Sequence, residues 1–222
     1  GEITHCEGAY IHRIENLSAS WMEQSCAQHG GNPYPTHGIG PIGQLLGLHR
    51  TDRMDYLVSL TSDSKNKVNS TLIRTVNGVS ILLQLDVTTP RPYSRLQTVC
   101  GTKGFVQKYP LPTIQLDGED TPTTGEQALR KAETYFISPT AQLWQKGHEL
   151  AVPNEMNFTM DSRLIYCLQN GLPLDIDVYD AAEWSCIGEL TAASIENNSM
   201  PVAFPDFTRG EWNKLNGVTF AK

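Results

Sequence analysis

The amino-acid sequence predicts an α+β domain: a large, mostly antiparallel open sheet with helices packed on one face. Three observations carry this reading. Apolar residues alternate with period two through the first half of the chain, most cleanly at Ile81, Leu83, Leu85 and Val87. Hairpin signals punctuate that half at Asn77-Gly78 and at Gly101-Thr102-Lys103-Gly104, and hairpins join antiparallel neighbours. After a proline-rich stretch over residues 110 to 122, the second half carries helix-compatible runs closed by stop signals.

Residues 2 to 12 read as the first strand. Thr4, Cys6, Gly8, Tyr10 and His12 share one face and Ile3, Ala9 and Ile11 the other, because successive side chains alternate. Thr36 is expected to cap a helix that sends Ile39, Ile42 and Leu46 inward. Met54, Tyr56, Val58 and Leu60 read as one face of a half-buried strand. Asn77-Gly78, between residues 72–76 and 79–83, is expected to make a two-residue type I′ turn. A second hairpin joins residues 96–100 to 105–109. Helices are expected over residues 124–136 and 156–169, the latter stopped by Asn170-Gly171 and Pro173. Asp177 is expected to cap a single long helix over residues 178–197, with Asp180 in its first turn.

Composition narrows the function classes. One domain spans the 222 residues, enough to bury roughly 70% of the surface its unfolded form exposes. The net charge of -7, with Lys and Arg scattered along the chain, argues against a nucleic-acid partner. No apolar run approaches the about 18 residues of a membrane helix, so no membrane partner is expected. Cys6, Cys26, Cys100, Cys167 and Cys186 are dispersed without a CxxC pair and read as reduced thiols. No metal site is expected; Cys26 with His29 is the one pair with ligand-like spacing. The chain begins on Gly1 and is in strand pattern by Glu2, which reads as a piece of a longer protein.

Gly38-Ile39-Gly40-Pro41-Ile42-Gly43 matches G-x-G-x-x-G letter for letter. A dinucleotide loop needs a buried strand running into it, and Gly30-Gly31-Asn32-Pro33-Tyr34-Pro35 is no such strand. The glycines are read instead as the first turns of a packed helix.

Two Tyr-His pairs carry the chemistry of interest. Tyr10 and His12 would share a strand face, while Tyr34 and His37 flank a helix start whose positive dipole end favours a neutral imidazole. They could line one polar cleft, or each could satisfy a separate core edge. His148, after Gly147, reads as a loop residue able to exchange protons near neutral pH, or as an ordinary exposed histidine. Arg91, Arg95, Lys103 and Lys108 suit an anionic group or simply solvated strand ends. Asp175, Asp177 and Asp180 look like metal ligands on paper, with helix capping the simpler account.

The strand Gly1-Glu2-Ile3-Thr4-His5-Cys6-Glu7-Gly8-Ala9-Tyr10-Ile11-His12 and the turn Gly101-Thr102-Lys103-Gly104 resemble the C-terminal domain of Gfo/Idh/MocA-type oxidoreductases. Longer strings, Asn32-Pro33-Tyr34-Pro35-Thr36-His37-Gly38-Ile39-Gly40-Pro41, Pro90-Arg91-Pro92-Tyr93-Ser94-Arg95, Asn170-Gly171-Leu172-Pro173-Leu174-Asp175 and Pro205-Asp206-Phe207-Thr208-Arg209-Gly210, narrow it. Together they resemble glycoside hydrolase family 109, the NAD-dependent α-N-acetylgalactosaminidases.

The resemblance implies a division of labour. NAD would be held by an N-terminal Rossmann domain absent from this chain, and these residues would bind none themselves. The domain would shape a carbohydrate pocket and form homo-oligomers through its sheet, in a bacterial protein that is cytoplasmic or exported. Hydride would leave the sugar C3, the resulting ketone would acidify the C2 hydrogen, and the glycosidic bond would break by elimination. By position, the resemblance implies Tyr10 as base, His148 as acid/base residue, and His12, Tyr34, His37 and Tyr109 as sugar contacts. Two departures stand out: three of the four glycines that flank the histidine in the family's loop are absent around His148, and Trp21-Met22 stands where the family carries a Trp-Arg pair. A plain sugar dehydrogenase and a non-catalytic scaffold are the alternative readings.

Overall fold

The computed structural model describes residues 1–14, 21, 24–25, 30–62 and 68–214. Its strands are β1 (Ile3–Ile11), β2 (Met54–Thr61), β3 (Val68–Thr75), β4 (Ser80–Asp86), β5 (Gln97–Gly101), β6 (Gly104–Gln107), β7 (Thr113–Leu116), β8 (Thr123–Thr124) and β9 (Val202–Ala203). They form one sheet in the order β8-β7-β6-β5-β1-β4-β3-β2-β9. The β1–β4 pairing is parallel and the rest are antiparallel. The helices are α1 (Thr36–Leu46), α2 (Gly125–Tyr135), α3 (Pro139–Glu149), α4 (Glu155–Asn170), α5 (Val178–Ser185) and α6 (Ile187–Glu196).

Register assigns the sheet's two faces. Cys6, Gly8 and Tyr10 lie beside Ile81, Leu83 and Leu85, and these in turn beside Ile73, Thr71 and Asn69. That face receives α1 and α6, and Ile39, Ile42, Leu57, Ile73, Ile81, Leu83 and Ile187 are buried between them. Burying an aliphatic side chain of this size contributes about 1.5–3 kcal/mol. Along β2 and β3 the same face carries a buried polar ladder: Asn69 donates to Ser59 Oγ and Thr61 Oγ1, and Thr71 donates to Asn69 Oδ1. Ser194 of α6 accepts the Ser59 backbone N–H, an edge donor that β9 does not reach. The opposite face of the sheet leaves Tyr56, Leu60 and Leu72 exposed.

Four local expectations change. A bulge between Met54 and Tyr56 shifts the register of β2, so Met54 is buried but Leu57 and Ser59, rather than Tyr56, Val58 and Leu60, continue the inward face. The Asn77-Gly78 hairpin is not type I′. Gly78 N–H donates to Thr75 O, only Gly78 has positive φ (94°), and Thr75 N–H donates to Val79 O. This is a three-residue loop with a type I turn and glycine bulge, which needs a left-handed residue once rather than twice.

Thr36 does not cap α1; Pro35 holds that position with φ -78° and ψ -20°, already helical, and Thr36 is the first helical residue. The long helix expected from Val178 breaks at Cys186 into α5 and α6. The break lets α5 direct Trp184 and its acids onto α1 and residues 49–50, while α6 lies on β2 and β9. Asp177 does cap α5, in a reciprocal box with Asp180.

Around that cap sits a buried ionic clasp. Arg50 donates to Asp177 and to both oxygens of Asp180, and His49 Nδ1 lies 2.9 Å from Glu183 Oε2. His49, Asp177 and Asp180 place ligand atoms within 4.8 Å of one another, a spacing open to a metal ion. Asp177 Oδ1, however, already accepts the N–H groups of Tyr179 and Asp180, and Asp180 Oδ1 accepts from Gln44 and Arg50. The cluster therefore works as a structural clasp. Asp175 is likewise engaged, by a bidentate pair with Arg163 at 2.7 and 2.8 Å. The Cys26–His29 pair lies outside the described residues.

Candidate active site

The glycine motif packs helix against strand. A Cβ on Gly8 would stand 2.4 Å from Gly38 O, and a Cβ on Gly43 would stand 2.9 Å from Trp184 Nε1. Gly38 thus lets α1 touch β1, and Gly40 and Gly43 receive the Trp184 ring. With these positions filled by the protein's own packing, the motif offers no cradle for a dinucleotide.

That close approach brings His37, in the first turn of α1, onto Tyr10 of β1. Their rings stack with centroids 4.8 Å apart at 16°. Tyr34 is set by Asn32, whose Oδ1 accepts the Tyr34 N–H while its own N–H donates to Thr191 on α6. The Tyr34 ring meets Tyr10 edge-on at 5.0 Å. Two phenol–imidazole hydrogen bonds result, Tyr10 Oη with His12 Nδ1 and Tyr34 Oη with His37 Nε2, both 3.0 Å long. All four rings are half-buried, and Tyr10 and Tyr34 rest against Leu85 and Val87.

The aromatic surface extends beyond the four residues. Tyr93 meets His12 edge-on at 5.1 Å, and Tyr109 meets Tyr93 at 6.3 Å, so among the described residues the ring contact of Tyr109 with the cluster runs through Tyr93. Trp21 meets Tyr34 at 5.9 Å. The Arg95 guanidinium lies 6.0 Å from the Tyr10 centroid and 5.7 Å from that of Tyr93. Of these, Tyr93 is the residue sequence reasoning gave no role; it sits in an irregular Pro-Arg-Pro-Tyr segment where no period reveals which way a ring points.

Burial sets the titration of this cluster. The Tyr10 phenol is pushed up, first by burial, then by the neighbouring Tyr34 and Tyr93, with Arg95 opposing. The His37 imidazole is pushed down, first by burial and then by Arg95, and stays neutral at neutral pH. A neutral imidazole has one free nitrogen lone pair, so the cluster combines hydroxyl donors, an acceptor nitrogen and ring faces, a set suited to a polyhydroxyl ring.

His148 is placed elsewhere. It lies in the last turn of α3 rather than in a loop, because the Ser138 cap and Pro139 start a helix that runs through Glu149. Its side chain is 73% exposed, and its Nδ1 lies 3.3 Å from Glu155 Oε1. No contact among the described residues joins it to the four rings. Gly147 gives close packing rather than backbone freedom: a Cβ there would stand 2.9 Å from the Phe158 ring.

The family description "Glycosyl hydrolase 109, C-terminal domain" matches residues 1–69 and 65–214. An alpha-N-acetylgalactosaminidase of Bacteroides fragilis is 50% identical over 97% of this chain and 59% of its own length. The chain belongs to glycosyl hydrolase family 109. A family 109 protein of Phocaeicola vulgatus is also 50% identical, over 96% of the chain and 60% of that protein. The chain thus spans about three-fifths of the length of these family 109 relatives.

The fold is shared more widely. A levoglucosan dehydrogenase solved with NADH and levoglucosan superposes with a TM-score of 0.63 at 15% identity, covering 93% of this chain and 60% of that one. An oxidoreductase domain protein from Kribbella flavida gives the same figures. This family 109 chain therefore has the open-sheet fold of the Gfo/Idh/MocA-type C-terminal domain, as its sequence leads one to expect.

Proposed function

We propose that this domain is the sugar-holding part of an NAD-dependent family 109 enzyme that cleaves α-linked N-acetylgalactosamine from glycosides. The observation that carries the reading is the convergence of Tyr10, His12, Tyr34 and His37, from β1 and from the start of α1, into one half-buried cluster with two 3.0 Å phenol–imidazole hydrogen bonds. The 50% identity to an alpha-N-acetylgalactosaminidase supports the substrate.

In this reading NAD supplies hydride chemistry from a Rossmann domain preceding this chain, and the residues here bind, orient and move protons. Tyr10 takes a proton from the bound sugar, with His12 holding the phenol in place. Tyr34 and neutral His37 bond sugar hydroxyls, and Tyr93 and Tyr109 form an apolar shelf for a sugar face. The exposed Tyr56, Leu60 and Leu72 on the uncovered sheet face are where a second copy would dock.

The position of His148 does not support an acid role, so proton delivery to the leaving oxygen falls to the cluster's own phenols. The same position favours the second reading, a sugar dehydrogenase without glycosidic cleavage, which needs no separate acid. The test is the full-length protein supplied with NAD and an aryl α-N-acetylgalactosaminide. Release of the aryl alcohol supports the glycosidase; NADH accumulating on free sugar without release supports the dehydrogenase. If the protein does neither, both readings fall.

A further inference from the structure

Arg95 differs from three other arginines of the chain, which are held by acidic side chains. Arg50 is held by Asp177 and Asp180, Arg91 by Gln84 and Asp86, and Arg163 by Asp175. Arg95 has no carboxylate partner among the described residues and instead lies over the Tyr10 and Tyr93 rings. The groups around Tyr10 are otherwise uncharged or occupied. His12 follows directly on β1, Tyr34 precedes α1, His37 is on α1, and Tyr93 comes from the segment after β4. Asp86, at the end of β4, is taken up by Thr88, Thr89 and Arg91. Gln97, the nearest polar side chain of β5, donates to the backbone of α1.

We propose that Arg95 is a positioning residue of this site, whose positive charge favours negative charge on the Tyr10 oxygen and disfavours it being positive on the His37 ring. It thereby directs proton transfer from a bound sugar toward the phenol. The inference rests on Tyr10 serving as the base. In that step the proton leaves the sugar for the oxygen of ionised Tyr10, the phenolate form that Arg95 favours, which becomes a neutral phenol while the electron pair stays on the sugar. The charge opposes what burial does to Tyr10 and reinforces what burial does to His37, so one guanidinium acts on both members of the stacked pair.

The test follows Tyr10 directly, in the full-length protein without ligand. Tyrosines carrying 13C at Cζ are titrated by NMR, the Tyr10 signal being assigned through Tyr10→Phe. Arg95→Gln should raise the Tyr10 midpoint by about half a pH unit, roughly a threefold change in acid dissociation, as expected for a charge about 6 Å away near the surface. His37 should move upward as well, and Arg95→Lys should restore most of both shifts. In turnover of the aryl glycoside, the rising limb of kcat/KM, which reports the base, should move with Tyr10. A Tyr10 midpoint unchanged in Arg95→Gln overturns the proposal, as does a Lys variant no better than Gln. If Tyr10 shifts but the full-length protein processes no sugar, the Arg95–Tyr10 coupling stands and the functional reading falls.

Discussion

Gln97 donates its side-chain amide to the carbonyl oxygen of His37 at 2.9 Å, the atom that Pro41, lacking an N–H, leaves without its helical partner. The same amide reaches Gly38 O at 3.2 Å. A strand residue of the sheet thus completes the hydrogen bonding of α1 at the turn that presents His37 to Tyr10. The proline would otherwise cost the helix a bond where the site needs it rigid.

Gln97→Leu should leave the His37 carbonyl dry, at about 1–3 kcal/mol. Thermal unfolding should then show a Tm roughly 2–12 °C lower. Pro41→Ala in the same background restores an N–H within reach of that oxygen and should recover part of the loss, a non-additivity that a double-mutant cycle measures.

Gly8→Ala would place a Cβ 2.4 Å from Gly38 O, backbone against backbone, so α1 must move off β1. Overpacking of this kind costs about 1–3 kcal/mol. The Tyr10–His37 stack should open with it, and kcat/KM of the full-length protein should fall at least about tenfold. A crystal structure of the variant with the 4.8 Å ring spacing intact would contradict this.

Tyr10→Phe should lower kcat/KM of the full-length protein by about 10²–10⁴, the range for losing a positioned proton-transfer group. His148→Gln should cost less than about tenfold, because its imidazole is exposed and turned to Glu155. Steady-state assays on the aryl glycoside decide both; equal losses would reinstate His148 as an acid.

The pH dependence of stability should carry a His37 signature. Its folded-state pKa lies below the ordinary 6.5, so the unfolded chain binds more protons in the window beneath that value. The stabilisation is therefore fully present above pH 6.5 and is lost as the pH falls through the lowered folded value. His37→Gln should flatten the rise of Tm as the pH climbs toward 6.5, read by calorimetry.

Burial pushes the Cys6 thiol up to about 11 and that of Cys186 up to about 12, and so keeps both protonated. Iodoacetamide at about pH 8 should spare these two in the native protein and modify them only on unfolding, since the thiolate is the nucleophile. Peptide mass spectrometry before and after denaturant reads the difference.

Much of this architecture was legible residue by residue. The alternation of Ile81, Leu83, Leu85 and Val87 marked a buried strand face, Gly171 marked the end of α4, and Asp177 marked the start of α5. The glycine motif was recognisable as packing because no strand precedes it. What misled were places where one residue changes phase. The bulge after Met54 turned Tyr56 and Leu60 to the outer face, and the break at Cys186 divided an apparently continuous helix. A period cannot register such a shift, because the residues on either side of it keep the same alternation.

The residues alone determined the fold class, the two hairpins and which side chains are able to exchange protons. These are properties of a few neighbours, governed by backbone sterics and side-chain alternation. Only the tertiary structure decided that Tyr10 stacks on His37, that Tyr93 and Arg95 join them, and that His148 stands apart on α3. Those distances depend on how closely α1 can approach β1 and on where the loop after β4 returns. They follow from the bare contact of Gly8 with Gly38 and the burial of Ile39 and Ile42, contacts between residues remote in the chain that no local pattern encodes.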